Sequence, residues 1–189
     1  TELLGIQHPI IQAGMGPFSN NNLCVATTNA GTLGLLSTSG LFSKAEQPWI
    51  YNAFVETSEA SPDDDMATVL TSVLKRTHRL TKDKGGVFGI NVMVSAELVD
   101  LSSIIIDTAV KVVKDNPEMK KTFKVIFTSA GDPVGWAEKI KGAGFTWIHV
   151  VPSVRAALRC KKAGVDVIVA SGHEGGFHVS WEPVHAMVL

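Results

Sequence analysis

An α/β fold, a parallel sheet closing toward a TIM (β/α)8 barrel, is predicted by three features of this 189-residue chain. Short apolar runs alternate with helical stretches through about six βα units, the pattern of crossovers between parallel neighbours. The strand runs are continuously apolar rather than alternating, as a sheet covered on both faces requires. A polar or glycine-rich token follows almost every strand: Gly14-Met15, Ser37-Thr38, Asn91, Thr128-Ser129 and Ser171-Gly172. Such tokens at strand carboxyl ends describe a ring of loops around one mouth. A doubly wound sheet is the competing arrangement, but no Gly-x-Gly-x-x-Gly follows the first strand at the start of a helix.

The elements follow in order. Pro9-Ile10-Ile11-Gln12-Ala13 reads as a first strand, and residues 20–30 as a helix capped by Ser19 or Asn20 and stopped by Gly31. Residues 33–37 form a second strand. A long excursion over residues 40–86 follows, with Trp49 and Tyr51 expected on a surface lid. Its second half is a helix, with Ser61-Pro62-Asp63-Asp64-Asp65 supplying the cap, an early proline and an acidic first turn. Lys75, Arg76, His78, Arg79, Lys82 and Lys84 crowd its far end, which the helix dipole explains, so His78 is assigned no function. Residues 87–92, 124–128, 146–151 and 165–170 read as strands three to six. The helices between them cover residues 101–114, 133–141 and 154–163, the last two ended by Gly142 and Gly164. A complete barrel takes about 250 residues. A single barrel domain over residues 1–189, lacking strands seven and eight, is therefore expected.

A formal net charge of -1 and 45% apolar content describe a globular chain with one sizeable core. No Lys/Arg block argues for nucleic acid, and no apolar run is long enough to span a membrane. With no signal-like amino terminus and two cysteines in helix-like apolar surroundings, Cys24 and Cys160 are expected to be free buried thiols in a cytoplasmic protein.

The chemistry concentrates in Ser171-Gly172-His173-Glu174-Gly175-Gly176-Phe177-His178, directly after the sixth strand. Glycines let a ligand approach the backbone, and an imidazole exchanges protons near neutral pH. A metal reading fails on spacing, since His173 and His178 stand five apart and do not share a helix face, so no metal is expected. A loop with a packed or solvent-facing histidine remains the plain alternative. His149, on the fifth strand, points into the mouth or packs beneath it.

Pro9-Ile10-Ile11-Gln12-Ala13-Gly14-Met15, Asn29-Ala30-Gly31-Thr32-Leu33-Gly34, Phe88-Gly89-Ile90-Asn91-Val92 and the 172–178 loop occur in this order at plausible spacing. Together they resemble the nitronate monooxygenase family, formerly 2-nitropropane dioxygenases, and the related FMN-dependent enoyl-[acyl-carrier-protein] reductases. The resemblance implies an FMN-binding (β/α)8 barrel. It implies a flavin held by Gly14, Met15, Asn91, Ser171, Gly172, Gly175 and Gly176, and His178 as the catalytic acid/base. For Asn91 a strand-end residue bonding its own backbone, and for Gly14 and Gly16 simple turn chemistry, stay open as readings. In the family this loop reads Gly-x-Glu-Ala-Gly-Gly-His. Here Gly175 replaces the alanine and Phe177 replaces the second glycine of the Gly-Gly pair, which adds bulk beside the flavin.

The implied reaction is oxidation of alkyl nitronates or nitroalkanes by O2 to carbonyl compounds and nitrite, with a homo-oligomer left open as the assembly. NAD(P)H-dependent enoyl-thioester reduction, and a non-catalytic barrel acting as a binding module, are the alternatives. The glycine-rich phosphate grip that the family carries on strands seven and eight is not among these residues.

Overall fold

A computed structural model of the chain describes residues 1–42, 44–176, 179–181 and 183–184. In chain order they form α1 (Asn21–Asn29), β1 (Gly34–Ser37), α2 (Ser39–Phe42), α3 (Pro48–Val55), α4 (Met66–Thr81), β2 (Phe88–Met93) and α5 (Val99–Asp115). They continue with β3 (Phe123–Ser129), α6 (Ala137–Gly142), β4 (Thr146–Val151), α7 (Val154–Ala163) and β5 (Val167–Ala170). The strands make one sheet in the order β1-β2-β3-β4-β5, with every pair parallel. Spatial order equal to chain order is the arrangement of a barrel wall; a doubly wound sheet reverses direction at its middle.

The expected first strand is the main correction. Residues 9–13 touch the sheet through one parallel bridge, Ile11 to Leu33, flanked by Leu33 N to Ile10 O (3.0 Å) and Gln12 N to Leu33 O (2.9 Å). Pairing stops there for two reasons. Pro9 has no N–H to donate. At the other end the Gln12 side chain takes the next donor, with Leu35 N bonding Gln12 Oε1 at 3.0 Å. The described sheet therefore has five strands rather than six.

Helix ends follow side-chain chemistry. Asn20, not Ser19, caps α1 by accepting from Asn22 N and Leu23 N. Asp65 caps α4 through Thr68 N at 2.7 Å, so Pro62, Asp63 and Asp64 precede the helix instead of forming its first turn. Ser153 caps α7, and Gly164 closes it at φ 79°, a left-handed position that favours glycine. The excursion after β1 holds two short helices, α2 and α3, that were not expected. Trp49 on α3 is exposed, but Tyr51 is 2% exposed and bonds Asp64 O through its hydroxyl at 3.2 Å, so it is core rather than lid.

Both faces of the sheet are apolar. Toward the helices, Leu36, Phe88, Ile90, Phe123, Ile126 and Trp147 pack with Val69, Leu70, Val73 and Leu74 of α4 and Ile105, Ile106, Ala109 and Val113 of α5. On the other face, Leu33, Leu35, Val87, Val125, Phe127 and Ile148 pack with Leu4 and Ile6 from the amino-terminal segment. Phe88 and Phe123 stack with ring centroids 5.1 Å apart, tying β2 to β3 on the helix side.

Gly34 sets how closely α1 approaches β1. A Cβ there would lie 2.5 Å from the Cys24 carbonyl oxygen and 2.3 Å from Thr28 Oγ1. We expect Gly34→Ala to lower the unfolding free energy by about 1–3 kcal/mol, the usual penalty for overpacking. Urea denaturation measures it, and an unchanged midpoint would show that α1 can shift without loss.

Candidate functional site

Parallel pairing puts the carboxyl ends of all five strands at one end of the sheet. There the face opposite the helices turns polar. By strand alternation Ser37, Asn91 and Ser129 succeed Leu35, Gly89 and Phe127 on that face.

Asn91 is the hub. Its Nδ2 donates to the Gly14 carbonyl at 3.1 Å, across 77 residues of chain, and its Oδ1 accepts from Ser129 Oγ at 3.2 Å. Its backbone carbonyl accepts from Thr38 N at 3.2 Å and Thr38 Oγ1 at 2.8 Å. One residue thus joins the first loop, the end of β1 and the end of β3. Its amide reaches other segments rather than its own backbone, which sets aside the turn-residue reading. One amide N–H and one Oδ1 lone pair have no partner among the described residues.

Gly14 meets Asn91 so closely that a Cβ would sit 2.4 Å from Asn91 Cβ. Its φ is not left-handed, so what demands glycine here is space. The loop around it is pinned by two residues that the sequence did not single out for this. Ser19, 2% exposed, accepts from Met15 N at 2.7 Å and Gln12 Nε2 at 2.9 Å, and donates to Ala13 O at 2.8 Å. Gln12 spans from this loop to β1, as described. The one available signal was a polar Gln12 inside an apolar run. The Met15 backbone is therefore fixed while its side chain is 53% exposed.

The glycine-rich loop begins where Ser171 N extends the β4–β5 ladder to Val151 O at 3.0 Å. Gly175 N then bonds Gly172 O at 3.0 Å, and the Glu174 carboxylate accepts from Val184 N at 3.1 Å. A Cβ on Gly172 would lie 2.3 Å from Val184 N, so close backbone passage again accounts for glycine. Gly176 has nothing within 4 Å of such a position, and His173 is exposed. Phe177 and His178 lie outside the described residues. The structure thus brings Gly14, Met15 and Asn91 into one corner and Ser171, Gly172, Gly175 and Gly176 into a second, with β3 and β4 between β2 and β5.

His149 does not enter the mouth. It alternates with Trp147 on the helix-facing side of β4 and is 2% exposed. Its Nδ1 lies 2.7 Å from Thr128 Oγ1, which also accepts from Trp147 Nε1 at 2.8 Å. Burial depresses its pKa from 6.5 to about 4, against the raising effects of a hydrogen bond to the Gly131 backbone and the nearby Asp132 charge. Cys24 and Cys160 are buried and unpaired with each other, and burial pushes the Cys24 thiol up to about 12, far from a reactive thiolate. Among the described residues no three His, Cys, Asp or Glu side chains gather as a metal site, and no helix is long and apolar enough to cross a membrane.

A histidine held neutral by the fold binds its proton more readily once unfolded. Its contribution to stability is complete above about pH 6.5 and is lost as pH falls toward about 4. The expected loss is about 2–3 kcal/mol between pH 7 and 4.5. Urea unfolding at both pH values, in the native protein and in His149→Phe, measures it; equal pH slopes in the two proteins would contradict the assignment.

A model of the family described as nitronate monooxygenase matches residues 1–186. Over the whole chain, 29% of residues are identical to a Rhodococcus jostii (strain RHA1) protein named (3aS,4S,5R,7aS)-5-hydroxy-7a-methyl-1-oxo-octahydro-1H-indene-4-carboxyl-CoA dehydrogenase, of which 42% is covered. A probable nitronate monooxygenase of Staphylococcus aureus (strain JH9) is 27% identical over 94% of the chain and 49% of its own length. Among solved structures, FabK from Thermotoga maritima superposes with a TM-score of 0.69 at 23% identity, covering 99% of this chain and 48% of that one. That likeness shows the fold, a TIM-type barrel wall. The chain spans about half the length of the relatives it matches. With the family's model matched from the first residue to residue 186, this chain belongs to the nitronate monooxygenase family.

Proposed function

We propose that this chain serves a flavin-dependent oxidoreductase that oxidises alkyl nitronates and nitroalkanes with O2, with FMN as the flavin. The contact between Gly14 and Asn91 carries the reading. It sets a backbone with no side chain against an amide that keeps a spare donor and a spare acceptor. Such a corner suits the isoalloxazine, whose flat face needs a small neighbour and whose pyrimidine edge alternates donors and acceptors. The family match over residues 1–186 is the second support. We read residues 1–189 as one FMN-binding barrel domain.

In this reading Gly14, Met15 and Asn91 hold one side of the flavin, and Ser171, Gly172, Gly175 and Gly176 approach from the end of β5. At the usual strand spacing β2 and β5 stand about 14 Å apart, room for a flat ligand between the two corners. Bound FMN supplies a two-electron acceptor that O2 can reoxidise. His178 removes the α-proton of a nitroalkane, leaving the nitronate; a nitronate substrate arrives without that proton and bypasses the step. After oxidation the nitro group leaves as nitrite and the carbon becomes a carbonyl.

The second reading is NAD(P)H-dependent reduction of an enoyl thioester. The Rhodococcus relative favours it only in that its name carries a CoA thioester. Both are tested by titrating the protein with FMN and mixing the yellow complex anaerobically with a nitronate, or with NADH. Bleaching by the nitronate with recovery in O2 is the expected result. Bleaching by NADH, recovered by an enoyl thioester, would move the assignment to the second reading. A protein that takes up no FMN overturns both and leaves a binding module. We further expect His178→Asn to slow nitroalkane turnover at least about a hundredfold, the usual scale of a lost acid/base, while nitronate turnover changes far less. Equal losses on both substrates would remove His178 from proton transfer.

A further inference from the structure

We propose that Ser19 is a positioning residue for the mouth. Its one buried hydroxyl holds the two peptide units on either side of Gly14, and so aims the Gly14 carbonyl at Asn91. This role bears on the reaction through the reading above, in which Asn91 meets the flavin.

The donors and acceptors around Ser19 Oγ leave one arrangement of protons. Met15 N, at 2.7 Å, can only donate. Gln12 presents its amide nitrogen at 2.9 Å, and that orientation is fixed at both ends of the amide. Its Oε1 accepts from Leu35 N at 3.0 Å, while its Nε2 also donates to the Ala13 carbonyl. A flipped amide would set two donors face to face at Leu35 and two acceptors face to face at Ala13. Ser19 Oγ therefore accepts from Met15 N and Gln12 Nε2 and gives its single proton to Ala13 O, at 2.8 Å. Its hydrogen-bonding capacity is then fully used.

Ala13 O and Met15 N belong to the two peptide units that flank Gly14, and both units are trans. In a planar trans unit the C=O and N–H point in opposite directions. The Met15 N–H that faces Ser19 therefore turns the Gly14 carbonyl away from it, and that carbonyl meets Asn91 Nδ2 at 3.1 Å. Space demands a glycine at this position, yet glycine has the widest choice of backbone angles. The Ser19 hydroxyl, by gripping both flanking units, removes that choice. Ser19 is itself anchored through its backbone. Its N–H donates to Met15 O at 2.7 Å, and its carbonyl accepts from Ser37 N, at the end of β1, at 2.8 Å. The next residue, Asn20, caps α1. The sequence of contacts runs from β1 and α1 through Ser19 to Gly14 and Asn91, each step a hydrogen bond of ordinary length or a peptide bond.

The test uses the whole chain with and without FMN. In the FMN-free protein, Ser19→Ala is expected to speed hydrogen exchange at the Met15 amide at least about tenfold and to move the Asn91 side-chain amide resonances. With FMN it is expected to weaken binding about tenfold, the loss of about one hydrogen bond. Gln12→Glu keeps the acceptor for Leu35 N but turns an oxygen toward Ala13 O. It is expected to lose as much, and it carries the comparison if Ser19→Ala fails to fold. Because both act on the same two peptide units, the double variant should also lose about tenfold rather than about a hundredfold. Ser19→Thr keeps the hydroxyl and should bind FMN within about threefold of the native protein. Asp65→Ala removes the cap of α4, weakens the fold away from this loop, and should leave FMN affinity unchanged. Unmoved Asn91 resonances in Ser19→Ala, losses that multiply in the double variant, or an equal loss of affinity in Ser19→Thr or Asp65→Ala overturn the proposal. A native protein that binds no FMN refutes the cofactor reading alone, since the Met15 amide and the Asn91 resonances still report on Ser19 without it.

Discussion

Each of the five strands bonds in parallel to the strand that follows it in the chain, so each connection must travel back along the sheet before the next strand begins. Helices of ten and more residues make most of those returns, and they can only lie on one face. That constraint decides the rest. It buries the helix-side cluster around Phe88, Phe123 and Trp147 and leaves the other face to Leu4, Ile6 and the strands' own inward residues. It also delivers every strand's carboxyl end to the same end of the sheet, which is why segments as distant as Gly14, Thr38, Asn91 and Ser129 can meet.

The two faces end differently at that mouth, and the difference is chemical. On the inward face the apolar ladder gives way to Ser37, Asn91 and Ser129, whose hydrogen bonds run between loops. On the helix face it gives way to Thr128 and His149, whose side chains lie within hydrogen-bonding distance of each other beside the Trp147 indole. Neighbours in sequence, Thr128 and Ser129 point to opposite sides because strand residues alternate. The end of β3 therefore bonds β4 behind the sheet through Thr128 and the mouth through Ser129. Buried polar groups of this kind are tolerated because their partners are present; an isolated one would be expensive.

Much of this was legible in the residues. Continuous apolar runs located β1 to β5 within a residue or two, β4 at Thr146–Val151 to the residue, and helix α7 was placed at Val154–Ala163 with its stop at Gly164, whereas α6 begins four residues later than expected and includes Gly142 instead of stopping before it. Local reading failed where a distant group competed. Pro9-Ile10-Ile11-Gln12-Ala13 has the apolar content of a strand, but Gln12 spends its side chain on the donor of Leu35 that a neighbouring strand would have used. Tyr51 looks like a surface aromatic until its hydroxyl finds Asp64. The acidic residues expected in the first turn of α4 lie at or before its cap, which is Asp65.

The candidate site divides in the same way. From the chain alone came the fold class, the family resemblance, the glycine-rich loop after β5 and the choice of Gly14 and Asn91, because strand periodicity and glycine's missing side chain are local properties. Tertiary structure alone decided that Gly14 is required by space rather than by backbone angle and that Asn91 joins three segments. It alone turned His149 away from the mouth toward Thr128. Such facts depend on which atoms meet across 20 to 80 residues of chain, and no local pattern carries that information.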